Sequence, residues 1–236
     1  MSRLFFEKEY IAVIPSYKQT EKHKHNMMHL FVGKRSLLLE CENGPITGKV
    51  IILDKNIVHK GPEGDLDYFL FIDPVSRFGS KLKNEYLKGS FFCTFDSDEL
   101  STGGAYSPKQ IKSKLVSFFG EEILGAIRDM DPRILELIRG IDSFEHIGKK
   151  IPELAKESGY SESYLTHLFK TETGIPLKNY MLMREFEYAY QKIASGQKIT
   201  DAVLDAGFGS SSHFSDVCRK LTGISVMDVM RGKADK

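Results

Sequence analysis

The sequence predicts a two-domain chain, β then α. The N-terminal part is expected to be a β-barrel or jelly roll with a helical linker, and the C-terminal part an all-α domain of two helix-turn-helix units joined by a long helix. Three observations carry this. The stretch from Gly159 to Gly174 is echoed from Gly207 to Gly223, each a glycine turn followed by a small-residue helix start and an amphipathic run. Between the copies, Pro176 and Gly196 bracket about twenty residues of helical character. The first hundred residues alternate short β-rich runs with turn-rich links.

Within the first copy, Pro152 suits the first turn of a short helix whose apolar residues Ile151, Leu154 and Ala155 fall at i, i+3 and i+4. Gly159 supplies the turn and Ser161 is a good N-cap. Tyr164, Leu165, Leu168 and Phe169 then form an inward face, leaving Ser163, Thr166, His167 and Lys170 outward. In the second copy Ile199, Ala202 and Val203 begin the first helix, and Phe214, Val217 and Cys218 face inward on the second. Ser211, Ser212, Ser215, Asp216 and Arg219 face outward. A connecting helix of about twenty residues spans about 30 Å, close to the roughly 34 Å between successive major-groove faces of B-DNA.

Strands are expected at Tyr10 to Ile14, Met28 to Val32, Ser36 to Glu40, Lys49 to Leu53, Tyr68 to Ile72 and Phe91 to Phe95. Asn43-Gly44-Pro45, Gly61-Pro62 and Asp73-Pro74 mark breaks, and many short strands at even spacing suggest a barrel or jelly roll. Leu4-Phe5-Phe6 is cut short by Glu7-Lys8-Glu9. Ser101 to Gly104 reads as a linker, and Pro108 to about Met130 has helical apolar spacing through Ile111, Leu115, Phe118, Phe119, Ile123, Leu124 and Ile127, interrupted at Gly120. Asp131-Pro132 opens a further helix with Ile134, Leu137, Ile138 and Ile141 as its buried face. The expected domains are residues 1–105, 106–130 and 131–236.

The motifs Tyr164-Leu-Thr-His-Leu-Phe-Lys170, the paired Gly-Tyr and Gly-Phe turns, Ala189 and the closing Gly223-Ile-Ser-Val run resemble the AraC/XylS family of bacterial transcription regulators over about Asp131 to Gly232. The resemblance implies a seven-helix DNA-binding domain. It also implies a cupin-like N-terminal domain that senses a small molecule and helps pair two chains. Departures concentrate in the second unit, where Asp216 stands in place of the family's usual Arg and Cys218 in place of Phe, and in the connecting helix, where Glu185 replaces an Arg. A carboxylate accepts from cytosine N4 but repels phosphate, so the second unit is expected to contact mainly backbone or to read weakly.

On this reading Ser163, Thr166 and His167 face base edges with Lys170 near phosphate, and Ser211, Ser212 and Asp216 are their counterparts with Arg219 near phosphate. The expected partners are double-stranded DNA, a small-molecule effector, RNA polymerase if the chain activates, and a second copy of itself. Ile111, Leu115, Phe118 and Phe119 are the candidate dimer contacts; the alternative is that they only cover the barrel.

Composition alone does not indicate nucleic acid, since the 236 residues carry a net charge of +1. Cys41, Cys93 and Cys218 lack Cys-x-x-Cys spacing and are expected as buried free thiols in a reducing cytosol. Neither a signal peptide nor an apolar run long enough to cross a membrane is visible, which points to the cytoplasm. No nucleophile triad, phosphate loop or dinucleotide fingerprint argues for an enzyme, and no cofactor is expected. His23, His25, His29 and His59 are candidates for an effector pocket. His-x-His on a strand puts both imidazoles on one face, as in cupin metal sites. Against a metal, His29 stands where the usual carboxylate would be, and Lys22 and Lys24 flank the pair as in a solvated loop. Ordinary surface or satisfied core histidines are the expectation. Two other functions fit less well: control by a protein partner, and a cupin metalloprotein with a degenerate helix-turn-helix tail.

Overall fold

Long β-branched and aromatic runs in the first hundred residues pair as one antiparallel sheet, described by a computed structural model that covers residues 3–14, 22–104, 106–125, 130–222 and 226. The strands are β1 Arg3–Phe6, β2 Tyr10–Ile14, β3 Met28–Cys41, β4 Gly44–Leu53, β5 Leu66–Ile72 and β6 Phe92–Phe95, in spatial order β1-β2-β5-β3-β4-β6. The chain divides into two compact units, Met1–Ala126 with Arg219–Lys236, and Ile127–Cys218. The expected order of β followed by α holds.

Register explains why these strands read as unbroken apolar runs. Met28 pairs with Ile72, Leu30 with Leu70 and Val32 with Tyr68 on one face, and His29 pairs with Phe71 and Phe31 with Phe69 on the other. Side chains on both faces are buried, so polar alternation is absent. The first face packs on α1 (Arg77–Lys81), on a π-helical turn at Leu82–Leu87 and on α2 (Pro108–Phe119), through Phe78, Leu82, Ile111, Leu115 and Phe119. Each such side chain contributes about 1.5–3 kcal/mol of burial.

Several expectations shift. Met28 to Val32 and Ser36 to Glu40 are one long strand, because a register shift between Val32 and Leu37 lets β3 bend and resume pairing with β4. Leu4-Phe5-Phe6, absent from the expected strands, adds a further one, and Glu7-Lys8-Glu9 is its hairpin turn, closed by the Glu7 amide donating to the Tyr10 carbonyl at 2.9 Å. The Ser101–Gly104 link is pinned: Asp67 accepts from the Thr102 amide at 2.8 Å, the Tyr106 hydroxyl at 2.9 Å and the Ser101 hydroxyl at 3.1 Å.

The candidate dimer contacts pack mainly within their own chain, which is the alternative placement of this segment. Ile111, Leu115 and Phe119 lie inside the core of their own chain, and Phe118 stacks on Phe95 with ring centroids 5.3 Å apart. The three buried side chains cover the sheet of their own chain, and Phe118 is half-buried beside them.

The remaining helices are α3 Pro132–Asp142, α4 Ile151–Glu157, α5 Glu162–Thr173, α6 Leu177–Ala194, α7 Ile199–Asp205 and α8 Ser211–Thr222. Expected caps are in place. Asp131 accepts from the Arg133 amide and Ser161 from the Tyr164 amide, each satisfying an otherwise unpaired first-turn N–H. Gly159 at φ 71° and Gly207 at φ 91° make the turns between the paired helices, a left-handed geometry that penalises any Cβ. Ile127 and the closing Gly223–Ser225 lie outside the described residues.

Candidate nucleic-acid interface and the histidine cluster

The 18-residue helix α6 is about 27 Å long at 1.5 Å per residue. Tyr180, Met181, Met183, Phe186, Ala189 and Ile193 are buried along it, so it serves as the spine of the helical unit. Toward α5, the Tyr180 ring meets Phe169 at 5.5 Å; toward α8, Phe186 stacks on Phe214 at 5.6 Å. Arg184, turned inward, ion-pairs with Asp142 at 3.0 Å and Glu187 at 2.9 Å and donates to the Tyr180 hydroxyl at 3.1 Å. That hydroxyl in turn donates to Asp142 at 2.6 Å, tying α3 to the spine.

On α5, Leu165 and Phe169 are buried and Leu168 is half-buried, while Ser163, His167 and Lys170 are exposed and Thr166 is half-buried. The Thr166 hydroxyl donates to the Glu162 carbonyl at 2.8 Å, so in this rotamer its oxygen is left to accept and its methyl to make apolar contact. Tyr164 departs from the inward placement expected of it: the residue is 44% exposed, with its ring 5.2 Å from Tyr160. A ring at helical apolar spacing reads as core, but Tyr carries a polar tip that tolerates the surface.

α8 buries Phe214, Val217 and Cys218 and exposes Ser211, Ser212, Asp216 and Arg219, with Ser215 half-buried. The Ser210 hydroxyl accepts from the His213 amide at 3.1 Å, a helix cap equivalent to that of Ser161. His213, which sequence reasoning passed over, is exposed beside Phe208 with ring centroids 5.4 Å apart. Glu185 is half-buried, and burial raises its carboxyl above the usual range. A cation in the family's pattern is thus replaced by a group that gives phosphate nothing.

In the sheet-bearing unit the four histidines come together. His23 and His59 face each other across an isolated antiparallel bridge, with both amide-to-carbonyl bonds at 3.0 Å. The His25 ring lies 5.5 Å from His23 and 5.6 Å from His59, and His29 lies 4.4 Å from His25 and 4.7 Å from His59, by centroids. His29 stacks on Phe31 at 4.8 Å. The expectation of surface or satisfied core histidines is overturned for two of them. His25 completes no side-chain hydrogen bond at either ring nitrogen, and His29 none at Nδ1, though both rings are buried. Burial holds both well below the usual imidazole range, with neighbouring histidines adding to the shift and, for His25, the Met27 backbone weakly opposing it. Burial also brings His59 down to about 4, so these rings are neutral at physiological pH. Of the cysteines, Cys218 is buried and Cys41 and Cys93 are half-buried, and none of the three is in a disulfide. No described helix is long and apolar enough to cross a membrane.

A family model described as a helix-turn-helix domain matches residues 154–232. The regulatory protein SoxS of Escherichia coli K12 is 37% identical over 90 residues, which are 37% of this chain and 82% of SoxS. The chain belongs to the AraC/XylS family of transcription regulators. The probable transcriptional regulator LumQ of Photobacterium leiognathi is also 37% identical over 90 residues, but the match spans only 36% of each chain. Among solved structures, ToxT of Vibrio cholerae O395 superposes with a TM-score of 0.55 at 15% identity, covering 97% of this chain and 98% of ToxT, a likeness of fold alone. A second ToxT structure, bound to (E)-4-(8-methylnaphthalen-1-yl)but-3-enoic acid, gives 0.53 at 13% identity and 98% coverage of both chains.

Proposed function

We propose that the chain is a sequence-specific, DNA-binding transcription regulator that binds double-stranded DNA without chemistry. α5 enters a major groove with Ser163, Thr166 and His167 at base edges and Lys170 at phosphate. α8 lies in the next groove on the same face of the duplex, with Ser211, Ser212 and Asp216 outward and Arg219 at phosphate. The observation that carries this reading is a pair of serine-capped helices on one rigid spine, each with its polar face free. Helix N-termini and small hydroxyls suit groove contacts. When the regulator activates, its second partner is RNA polymerase.

Residues 1–105 carry reception of a small-molecule effector in this reading. The fold likeness to ToxT, which binds an aromatic carboxylic acid, supports an apolar effector bearing one polar group. The sheet face where His29, Phe31, Phe69 and Phe71 meet has matching chemistry.

The two units differ, and mutation tests the difference. On an operator selected from random DNA, His167→Ala is expected to cost about 1–3 kcal/mol and to relax preference at its base, while Ser212→Ala costs much less. Equal losses at both positions would show that both units read bases. Wild-type affinity that is indifferent to sequence would overturn the regulatory reading itself. Asp216→Arg is expected to raise DNA affinity and steepen its salt dependence by about one phosphate contact. A sharp loss on the selected operator with a gain on random DNA would instead assign Asp216 to a base.

A further inference from the structure

We propose that His23, His25 and His59 form a site for a divalent first-row transition-metal cation, of the Zn²⁺, Ni²⁺ and Cu²⁺ class. One ring nitrogen from each lies within 4.8 Å of the others. Three nitrogens around such an ion at about 2.1 Å stand roughly 3.4 Å apart, so a small rotation of each ring closes the set. The inference goes beyond the regulatory reading and stands without it.

Backbone geometry assembles these residues. The His23–His59 bridge puts two opposed side chains on one face, and His25, two residues along an extended segment, returns to that face. The His59 ring donates from Nδ1 to the Ile57 carbonyl at 2.8 Å, which fixes the tautomer and leaves Nε2 with its lone pair free. A backbone carbonyl in this role is a usual second partner of a metal-binding imidazole. His25 has both ring nitrogens buried with no well-formed hydrogen bond, and coordination would give one of them a partner.

The donor set also selects the ion. Three imidazoles and no carboxylate suit borderline transition cations, whereas Ca²⁺ and Mg²⁺ require oxygen. A bound ion would join the segment before β3, which carries His23 and His25, to the link between β4 and β5, which carries His59. His29, packed against His25 and His59, would hold those rings from behind.

The test uses the full chain, stripped with chelator and titrated with Co²⁺ as a spectroscopic stand-in. The expected result is visible d–d absorption saturating near one ion per chain, displaced by Zn²⁺ and untouched by excess Mg²⁺. His25→Ala and His59→Ala should each weaken binding at least tenfold, while His146→Ala and His213→Ala leave it unchanged. Zn²⁺ should raise the thermal midpoint of the wild type and leave that of His59→Ala where it was. If the buried variants do not fold, His23→Ala, at the half-exposed member, gives the same reading. Absence of the Co²⁺ spectrum, or binding that survives loss of each cluster histidine, overturns the site. Because DNA affinity is measured separately, failure here leaves the regulatory reading intact.

Discussion

A chain carrying Leu115→Asp is expected to lose the folded sheet-bearing unit outright. Leu115 is fully buried among Ile111, Phe119 and Phe78, on the face where α2 covers the sheet. Removing its burial costs about 2–3 kcal/mol, and an unpaired carboxylate in the same place costs several more. Together these reach the roughly 5–15 kcal/mol that holds a typical domain. Circular dichroism and urea unfolding should show strand signal lost. A well-folded variant with native stability and half the sedimenting mass of the wild type would mean that Leu115 serves an interface between chains, and the placement of α2 against its own sheet would be wrong.

That expectation differs from the one periodicity suggests, and the difference shows what a sequence can and cannot carry. Apolar spacing located α2 and its buried side, but an apolar stripe is the same whether it covers a sheet in its own chain or meets a second copy. The helical half was more legible because its signals are local: Asp131, Ser161 and Ser210 act within three residues, and Gly159 and Gly207 act on their own φ angles. The sheet depends on pairing at a distance. Nothing local says that Ser36 to Glu40 continues the strand begun at Met28, since the bend is specified by pairing with β4 and β5. The histidines were visible as a spacing, but His59 joins them only through a bridge spanning 36 positions, His23 to His59. Flanking lysines made that segment look solvated, and the burial of His25 and His29 comes from aromatic rings on β5. Tyr164 failed for the opposite reason, since its spacing was right and its polar tip decided its side.

Arg184→Ala is expected to destabilise the helical unit by about 3 kcal/mol, with loss of DNA binding through unfolding and not through any lost contact to DNA. Arg184 is 8% exposed by side chain, with Asp142 at 18% and Glu187 at 12% as its acidic partners. Truncating the cation leaves two carboxylates half-dehydrated and facing one another. Burial already lifts Glu187 above the usual carboxylate value of 4.5, and Arg184 is the main group opposing the rise, with a hydrogen bond from Gln191 helping. Without it the carboxyl rises further, and the sign follows: a raised folded-state value favours the native state at low pH and loses that benefit as pH increases. The deficit of Arg184→Ala should therefore be small near pH 4 and grow toward neutrality. Replacing the whole group, as Arg184→Met with Asp142→Asn and Glu187→Gln, should recover most of the loss, because no charge is left uncompensated. Urea unfolding of the three proteins across pH separates the possibilities. A deficit independent of pH, or a triple variant as unstable as Arg184→Ala, would show that Arg184 acts mainly through the packing of its guanidinium on the Tyr180 ring within α6, and that the ion pairs contribute little.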